Sequence, residues 1–208
     1  MTPPQKQSNY QQAFVKALEV VRGRSGEELV ELGGRRLEGW QYSLSVLNDV
    51  FMIDLAEGTV GLADGRADAA VGSLRIEWQI LALHYLAAPV PWTVGWSWVS
   101  FGDMPEARGY DPVYRGRVLG RLCATAGRDR EGFVRAAGGL GGEPVDMGDE
   151  GFKFQVFPRL AVVIVWYAGD EEFGPGSSFL YQSNIRSFLS VEDVVVLSER
   201  LVGRLQGK

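Results

Sequence analysis

Residues 152–167 read FKFQVFPRLAVVIVWY, and this stretch carries the clearest fold signal in the chain. Two apolar segments, Phe152–Phe157 and Leu160–Tyr167, flank the dipeptide Pro158-Arg159, a pattern that predicts two strands. The second segment is apolar at consecutive positions, which is typical of a strand covered on both faces. We therefore expect a sheet with a buried central strand in this half of the chain.

Helical patterns occur in the sequence both before and after these two predicted strands. Ser73–Ala88 is apolar on nearly every side, which predicts a buried central helix that ends before Pro89 and Pro91. Near the C-terminus, Ser190 is followed by two acidic residues, a start signal for a helix that runs to about Leu205.

The N-terminal half combines a helix with a hairpin. Apolar residues in Tyr10–Arg22 recur at helical spacing, whereas Tyr42–Leu47 alternates between apolar and polar residues, as a half-buried strand does. Asn48-Asp49 is the predicted turn, and Val50–Ala56 is the predicted return strand.

These elements predict an α+β fold with a mostly antiparallel sheet, a buried central helix and packed flanking helices. The polar, proline-containing start of the chain predicts a disordered tail over residues 1–9. Because no internal repeat or linker-like stretch follows, residues 10–208 are predicted to form a single domain.

The composition of the chain excludes several classes of function. The 208 residues include 21 Lys or Arg and 26 Asp or Glu, and the net charge of −5 argues against a nucleic-acid partner. One His and one Cys, Cys123, rule out an internal disulfide and any two-His metal centre. With no secretory signal and no apolar run of the about 20 residues that span a bilayer, we expect a soluble cytoplasmic protein without a membrane partner.

The leading hypothesis rests on aromatic residues in the Trp92–Tyr114 region. If residues 96–101 form a strand, Trp96 and Trp98 share one face and Phe101 lies on the other, with Tyr110 following. Exposed indoles suit a flat small ligand or a partner protein, although these rings also suit a core. Because catalytic residue types are scarce, the pattern favours an accessory domain that binds such a ligand or partner.

A second hypothesis uses carboxylates. Pairing of the two strands around Pro158-Arg159 would bring the acidic segments 146–150 and 170–172 to one end of the sheet. Oxygen ligands of this kind suit Mg²⁺ or Ca²⁺, so this is the pattern of a metal-dependent enzyme. The alternative is a solvated loop whose acids cap turns. The candidate ligands are Asp149, Asp170, Glu171 and Glu172.

A third hypothesis concerns His84, the only imidazole in the chain. A histidine can act as a general base or as an axial ligand to a tetrapyrrole metal. Because His84 lies in the apolar helix predicted over residues 73–88, the alternative is a neutral core histidine bonded to the backbone or to a tyrosine. The sequence leaves both open.

Three stretches together carry a family resemblance: Ile80–Leu86, Trp98–Phe101 with Tyr110, and a C-terminal run from Gly148-Asp149 to Glu192-Asp193. Over about residues 10–205 the chain resembles the domain-of-unknown-function family 3786 of bacteria and archaea. That family has no established activity to transfer. Some members carry a Cys-rich iron–sulfur segment, whereas this chain has Cys123 alone, so the resemblance implies no cluster in this polypeptide.

Overall fold

The computed structural model describes residues 5–63 and 74–207. The chain forms two compact units, which we call the N-terminal and C-terminal units. The N-terminal unit comprises Met1–Thr93, Phe157–Arg159 and Ser187–Leu189, and the C-terminal unit comprises Val94–Val156, Leu160–Arg186 and Ser190–Lys208. Residues 1–4 of the predicted tail, and Ser73 of the predicted central helix, lie outside the described residues.

The N-terminal unit contains helices and one antiparallel sheet with the strand order β1-β2-β3-β4. Its elements are α1 (Gln5–Arg22), α2 (Gly26–Glu31), β1 (Arg35–Arg36), β2 (Gln41–Val46), β3 (Asp49–Asp54), β4 (Thr59–Leu62) and α3 (Ile76–Leu86).

The predicted helix and hairpin of this unit are present. Alternate residues of β2 are buried, as the apolar and polar alternation requires. The turn is Leu47-Asn48 and not Asn48-Asp49, because Asp49 pairs with Val46 and Leu47 takes the positive φ of 54°. Seven of the eleven residues of α3 are buried, which confirms the buried helix.

The C-terminal unit contains an antiparallel sheet with the strand order β5-β9-β8-β7-β6. Its strands are β5 (Trp98–Ser100), β6 (Glu143–Val145), β7 (Glu150–Phe157), β8 (Leu160–Tyr167) and β9 (Gly176–Gln182). Its helical segments are α4 (Asp111–Tyr114), a π-helical stretch (Arg115–Gly120), α5 (Arg121–Cys123), α6 (Arg130–Gly139), α7 (Ile185–Phe188) and α8 (Val191–Leu205). The last residue of β7, Phe157, and the last two residues of α7, Ser187 and Phe188, belong to the N-terminal unit.

The strongest sequence signals are confirmed here. All of β8 except Tyr167 is buried, and the strand lies in the centre of its sheet. Helix α8 begins after Ser190, whose hydroxyl accepts from the Asp193 N–H while the Asp193 carboxylate accepts from the Ser190 N–H. The α+β class is therefore confirmed. Within residues 5–63 and 74–207, no helix is long and apolar enough to cross a bilayer.

Candidate functional site

Trp96 has an exposed side chain on a tightly held backbone. Its side chain is 90% exposed. A Cβ built at Gly95 would lie 2.5 Å from Oδ1 of the buried Asn184, so only glycine allows this close approach. On the other side, the Ser97 carbonyl accepts a 2.9 Å hydrogen bond from the Ser183 N–H. The indole thus projects into solvent from a loop fixed on both sides.

Trp98 and Phe101 occupy different environments from Trp96. The predicted strand over residues 96–101 is wrong in its bounds, because β5 holds only Trp98–Ser100 and Phe101 begins a short 3-10 turn. Trp98 is half-buried opposite Gln182. Phe101 is buried and stacks on Tyr114 with ring centroids 4.1 Å apart. Phe101 therefore serves the core and is not accessible to a ligand or partner.

Tyr110 is exposed at the start of α4. Its side chain is 62% exposed, and Val113, three residues on and hence on the same helical face, is 49% exposed. The Asp111 carboxylate lies 3.3 Å from the position of a Cβ built at Gly102, so this end of α4 lies beside the turn that follows β5. We call the exposed apolar residues of this segment the exposed aromatic surface: Val94, Trp96, Tyr110 and Val113.

Three carboxylates of the same segment, Asp103, Glu106 and Asp111, are paired within the chain. Arg115 Nε donates to Asp111 at 2.6 Å, and Arg186 pairs with Glu106. The Ser100 hydroxyl and N–H bond the Asp103 carboxylate, and they lower the pKa of that carboxyl. Apolar groups flanked by paired polar groups are the composition of a protein interface with its rim.

Behind the exposed segment, three buried hydroxyls form a directed chain. Ser198 donates to the Val194 carbonyl at 2.7 Å, so Tyr181 donates to Ser198 at 2.5 Å and Tyr114 donates to Tyr181 at 2.6 Å. Burial raises the pKa of both tyrosines. Because each proton of the chain has an acceptor and neither phenol ionises near neutrality, the arrangement stabilises the fold and supplies no general base.

The two acidic segments do approach each other at one end of the sheet. The Asp149 N–H donates to the Trp166 carbonyl at 3.2 Å, and the Asp149 carboxylate accepts from the Ala168 N–H at 2.8 Å. The Asp170 carboxylate accepts from the N–H groups of Phe173 and Glu172, which lower its pKa.

The Asp170 carboxylate therefore satisfies backbone donors of its own loop, and the Asp149 carboxylate satisfies a backbone donor just after β8. Glu171 and Glu172 are exposed on that loop. In the part of the chain that the structure describes, no group of three or more His, Cys, Asp and Glu side chains is arranged to hold a metal ion.

His84 lies on α3 in the N-terminal unit, half-buried between the fully buried Leu83 and Tyr85. The aromatic candidates Trp96, Trp98, Phe101 and Tyr110 all belong to the C-terminal unit.

A second aromatic cluster, which the sequence analysis did not predict, lies in the N-terminal unit. Tyr85 stacks between Phe157 and Phe188 at 4.5 and 5.3 Å, and the Arg159 guanidinium lies 5.1 Å from the Trp92 ring. The Tyr85 hydroxyl donates to the Leu32 carbonyl at 2.5 Å and accepts from the Arg159 N–H. These residues come from distant parts of the chain, so no local pattern could have indicated the cluster.

Comparison with known proteins identifies a family for this chain but does not identify an activity. Residues 9–204 match the family described as Domain of unknown function (DUF3786). No curated protein and no solved structure matches the chain.

Proposed function

The chain belongs to the family of domains of unknown function DUF3786, and from that premise we propose that it is a binding module whose exposed aromatic surface contacts a partner protein. The function is assigned to the C-terminal unit, through Trp96 and Tyr110 with Val94 and Val113. No chemical step is required of these residues.

The observation that carries the proposal is the exposure of Trp96 on a fixed backbone. An indole that is 90% exposed contributes almost nothing to the core of its own chain. Tryptophan and tyrosine are enriched among the residues that dominate binding energy at protein interfaces. Because Gly95 and Ser97 are already held, the loop loses little conformational entropy on binding.

The shape around Trp96 favours a protein over a flat small ligand. Small-molecule sites are concave and bury about 70–90% of their ligand. Trp96 instead projects from its loop, so it suits insertion into an apolar pocket that the partner supplies. Tyr110 offers an apolar ring together with a hydroxyl that can form a hydrogen bond at the edge of the interface.

The test identifies the partner and then measures its affinity. A photo-crosslinking amino acid is placed at position 96, and in a parallel sample at position 40, where Trp40 is also exposed but lies in the N-terminal unit. Each variant is expressed in the source organism, and the captured protein is identified by mass spectrometry. The complex is then rebuilt from purified proteins, and its Kd is measured by calorimetry.

We expect Trp96→Ala to weaken that complex by about 2 kcal/mol, or about 30-fold in Kd, with a smaller loss for Tyr110→Ala. Trp40→Ala, the matched exposed-tryptophan control, should leave the Kd unchanged. The proposal is wrong if position 96 captures nothing beyond what position 40 captures, or if Trp96→Ala binds the rebuilt partner as tightly as the wild type.

A further inference from the structure

We propose that the N-terminal unit carries a separate binding site for a planar aromatic carboxylate, in a cavity lined by Arg22, Trp40, Leu55 and Ala56. The cavity measures about 300 Å³, and its walls include one cationic residue, one aromatic residue and two aliphatic residues. The inference is independent of the exposed aromatic surface, because the two sites share no residue.

The cationic wall is a guanidinium in a fixed position. Arg22 is the last residue of α1, and its Nε donates to the Leu55 carbonyl at 2.6 Å while its Nη2 donates to the Ala56 carbonyl at 2.9 Å. A guanidinium carries five N–H donors in one plane. Two bonds to adjacent carbonyls therefore set that plane, and within residues 5–63 and 74–207 they leave three donors for an incoming anion.

The aromatic wall is attached to the same strand end. The Trp40 carbonyl accepts from the Leu55 N–H at 3.0 Å, which extends the β2–β3 ladder one position beyond the Gln41–Asp54 pair. Leu55 thus accepts from Arg22 through its carbonyl and donates to Trp40 through its N–H. The Trp40 side chain is 58% exposed, so much of the indole is available for stacking.

The turn after β3 closes around Arg22. A Cβ built at Gly58, which has a φ of +73°, would lie 2.9 Å from Leu18 Cδ2 and 3.2 Å from Arg22 Nη2. The Asp54 carboxylate accepts from the Glu57 N–H and from the Gln41 amide, and these bonds lower its pKa. The Asp54 carboxylate is therefore engaged by the turn itself.

The guanidinium and the indole together indicate which class of ligand the cavity would bind. A carboxylate matches the guanidinium fork with two parallel hydrogen bonds, and a planar ring matches the indole face. Ligand pockets usually span about 300–1,000 Å³, so a cavity of about 300 Å³ accommodates a one-ring or two-ring acid.

The test uses benzoate, indole-3-acetate and quinoline-2-carboxylate as probes, with benzamide and indole as uncharged counterparts. Binding to the full chain is measured by calorimetry and by ligand-observed NMR. We expect at least one acid to bind with a Kd of about 1 mM or tighter, and its uncharged counterpart to bind about tenfold more weakly. Trp40→Ala should abolish detectable binding, and Trp40→Phe should retain most of it.

Arg22→Lys tests the two parallel hydrogen bonds between the guanidinium and the carboxylate, because lysine keeps the positive charge but cannot form both bonds in one plane. We expect the Kd of the acid to rise about tenfold. Trp96→Ala is the matched control, and it should bind the acids as the wild type does. Each variant's thermal midpoint is measured first, so that loss of fold is separated from loss of the site. The inference is overturned if none of the three acids binds the wild type, or if folded Trp40→Ala binds them equally well.

Discussion

The two exposed tryptophans, Trp96 in the C-terminal unit and Trp40 in the N-terminal unit, differ in what lies beside them. Trp96 projects from a loop held by Gly95 and Ser97, and its side chain is 90% exposed. Trp40 is 58% exposed and shares a cavity with the guanidinium of Arg22. Exposure alone therefore does not define a function: a projecting ring suits a partner's pocket, whereas a ring beside a fixed cation suits a small anion.

The elements behind the two rings differ as well. The Trp96 loop leads into β5, whose Val99 pairs with Tyr181 of the buried hydroxyl chain. The site beside Trp40 is instead positioned by one arginine, Arg22, and by the tight turn after β3. Changes to the buried chain of Tyr114, Tyr181 and Ser198 should therefore act on the Trp96 side, and changes to the Gly58 turn should act on the Trp40 side.

High pH should have the largest effect. Burial raises the pKa of Tyr85, Tyr114 and Tyr181 in the folded state. Their stabilisation is complete below the unfolded pKa of about 10 and is lost as pH rises through the folded values. Each tyrosine should therefore remove about 1.4 kcal/mol of unfolding free energy per pH unit above about pH 10, measurable as a fall in the urea midpoint.

Tyr181 belongs to the C-terminal unit and Tyr85 to the N-terminal unit. Because each substitution removes one titrating hydroxyl, Tyr181→Phe and Tyr85→Phe should each make the fall of unfolding free energy with pH less steep by one proton. Phe173→Leu, which changes an exposed ring without a hydroxyl, is the control and should leave the slope unchanged. An equal slope in all three variants would contradict the assignment.

Gly95→Ala should have the next largest effect. The added Cβ would lie 2.5 Å from Asn184 Oδ1 and 3.0 Å from the Asn184 backbone nitrogen, so the loop must shift. We expect a loss of about 2–3 kcal/mol in unfolding free energy by urea titration, together with weaker partner binding although Trp96 is intact. Gly109→Ala is the control, because among the described residues no atom lies within 4 Å of its added Cβ.

Tyr181→Phe at neutral pH should cost about 2 kcal/mol, because Tyr114 loses its acceptor and Ser198 loses its donor. Tyr114→Phe removes only the first link, so its cost should be about 1 kcal/mol. Urea unfolding of both variants checks this order. A greater loss for Tyr114→Phe would contradict the central position of Tyr181 in the hydroxyl chain.

Gly58→Ala should have the smallest effect and should act on the Trp40 site. Gly58 and Gly39 both have a positive φ, but only at Gly58 would a Cβ press on Leu18 and Arg22. We expect Gly58→Ala to lose about 1 kcal/mol more than Gly39→Ala and to bind aromatic carboxylates more weakly. Equal thermal midpoints and equal Kd values in the two variants would show that this turn does not position Arg22.

Several elements follow from local sequence because their signals are local. The continuous apolar run predicts β8 with its bounds, and the Ser190 cap with its acidic first turn predicts α8 from its first residue to its last. The Tyr42, Leu44 and Val46 alternation predicts the buried face of β2. In each case one periodicity or one cap is sufficient to specify the element.

Local sequence does not predict β9, whose residues GSSFLYQ begin with glycine and two serines. This strand forms because it pairs with β8 on one side and β5 on the other, which is a tertiary contribution. Similarly, Leu47 takes a left-handed conformation because the two-residue turn between β2 and β3 requires one.

The amino-acid sequence by itself determined the α+β class, the principal helices and strands, and the abundance of aromatic residues with few catalytic types. Only the tertiary structure decided that Trp96 is exposed and Phe101 is buried, because that depends on where β5 ends and which residues pack behind it. It alone brought Arg22 to Trp40 through Leu55. Periodicity reports which face of an element is apolar, whereas a binding site needs side chains from separate elements, and chain folding alone brings those together.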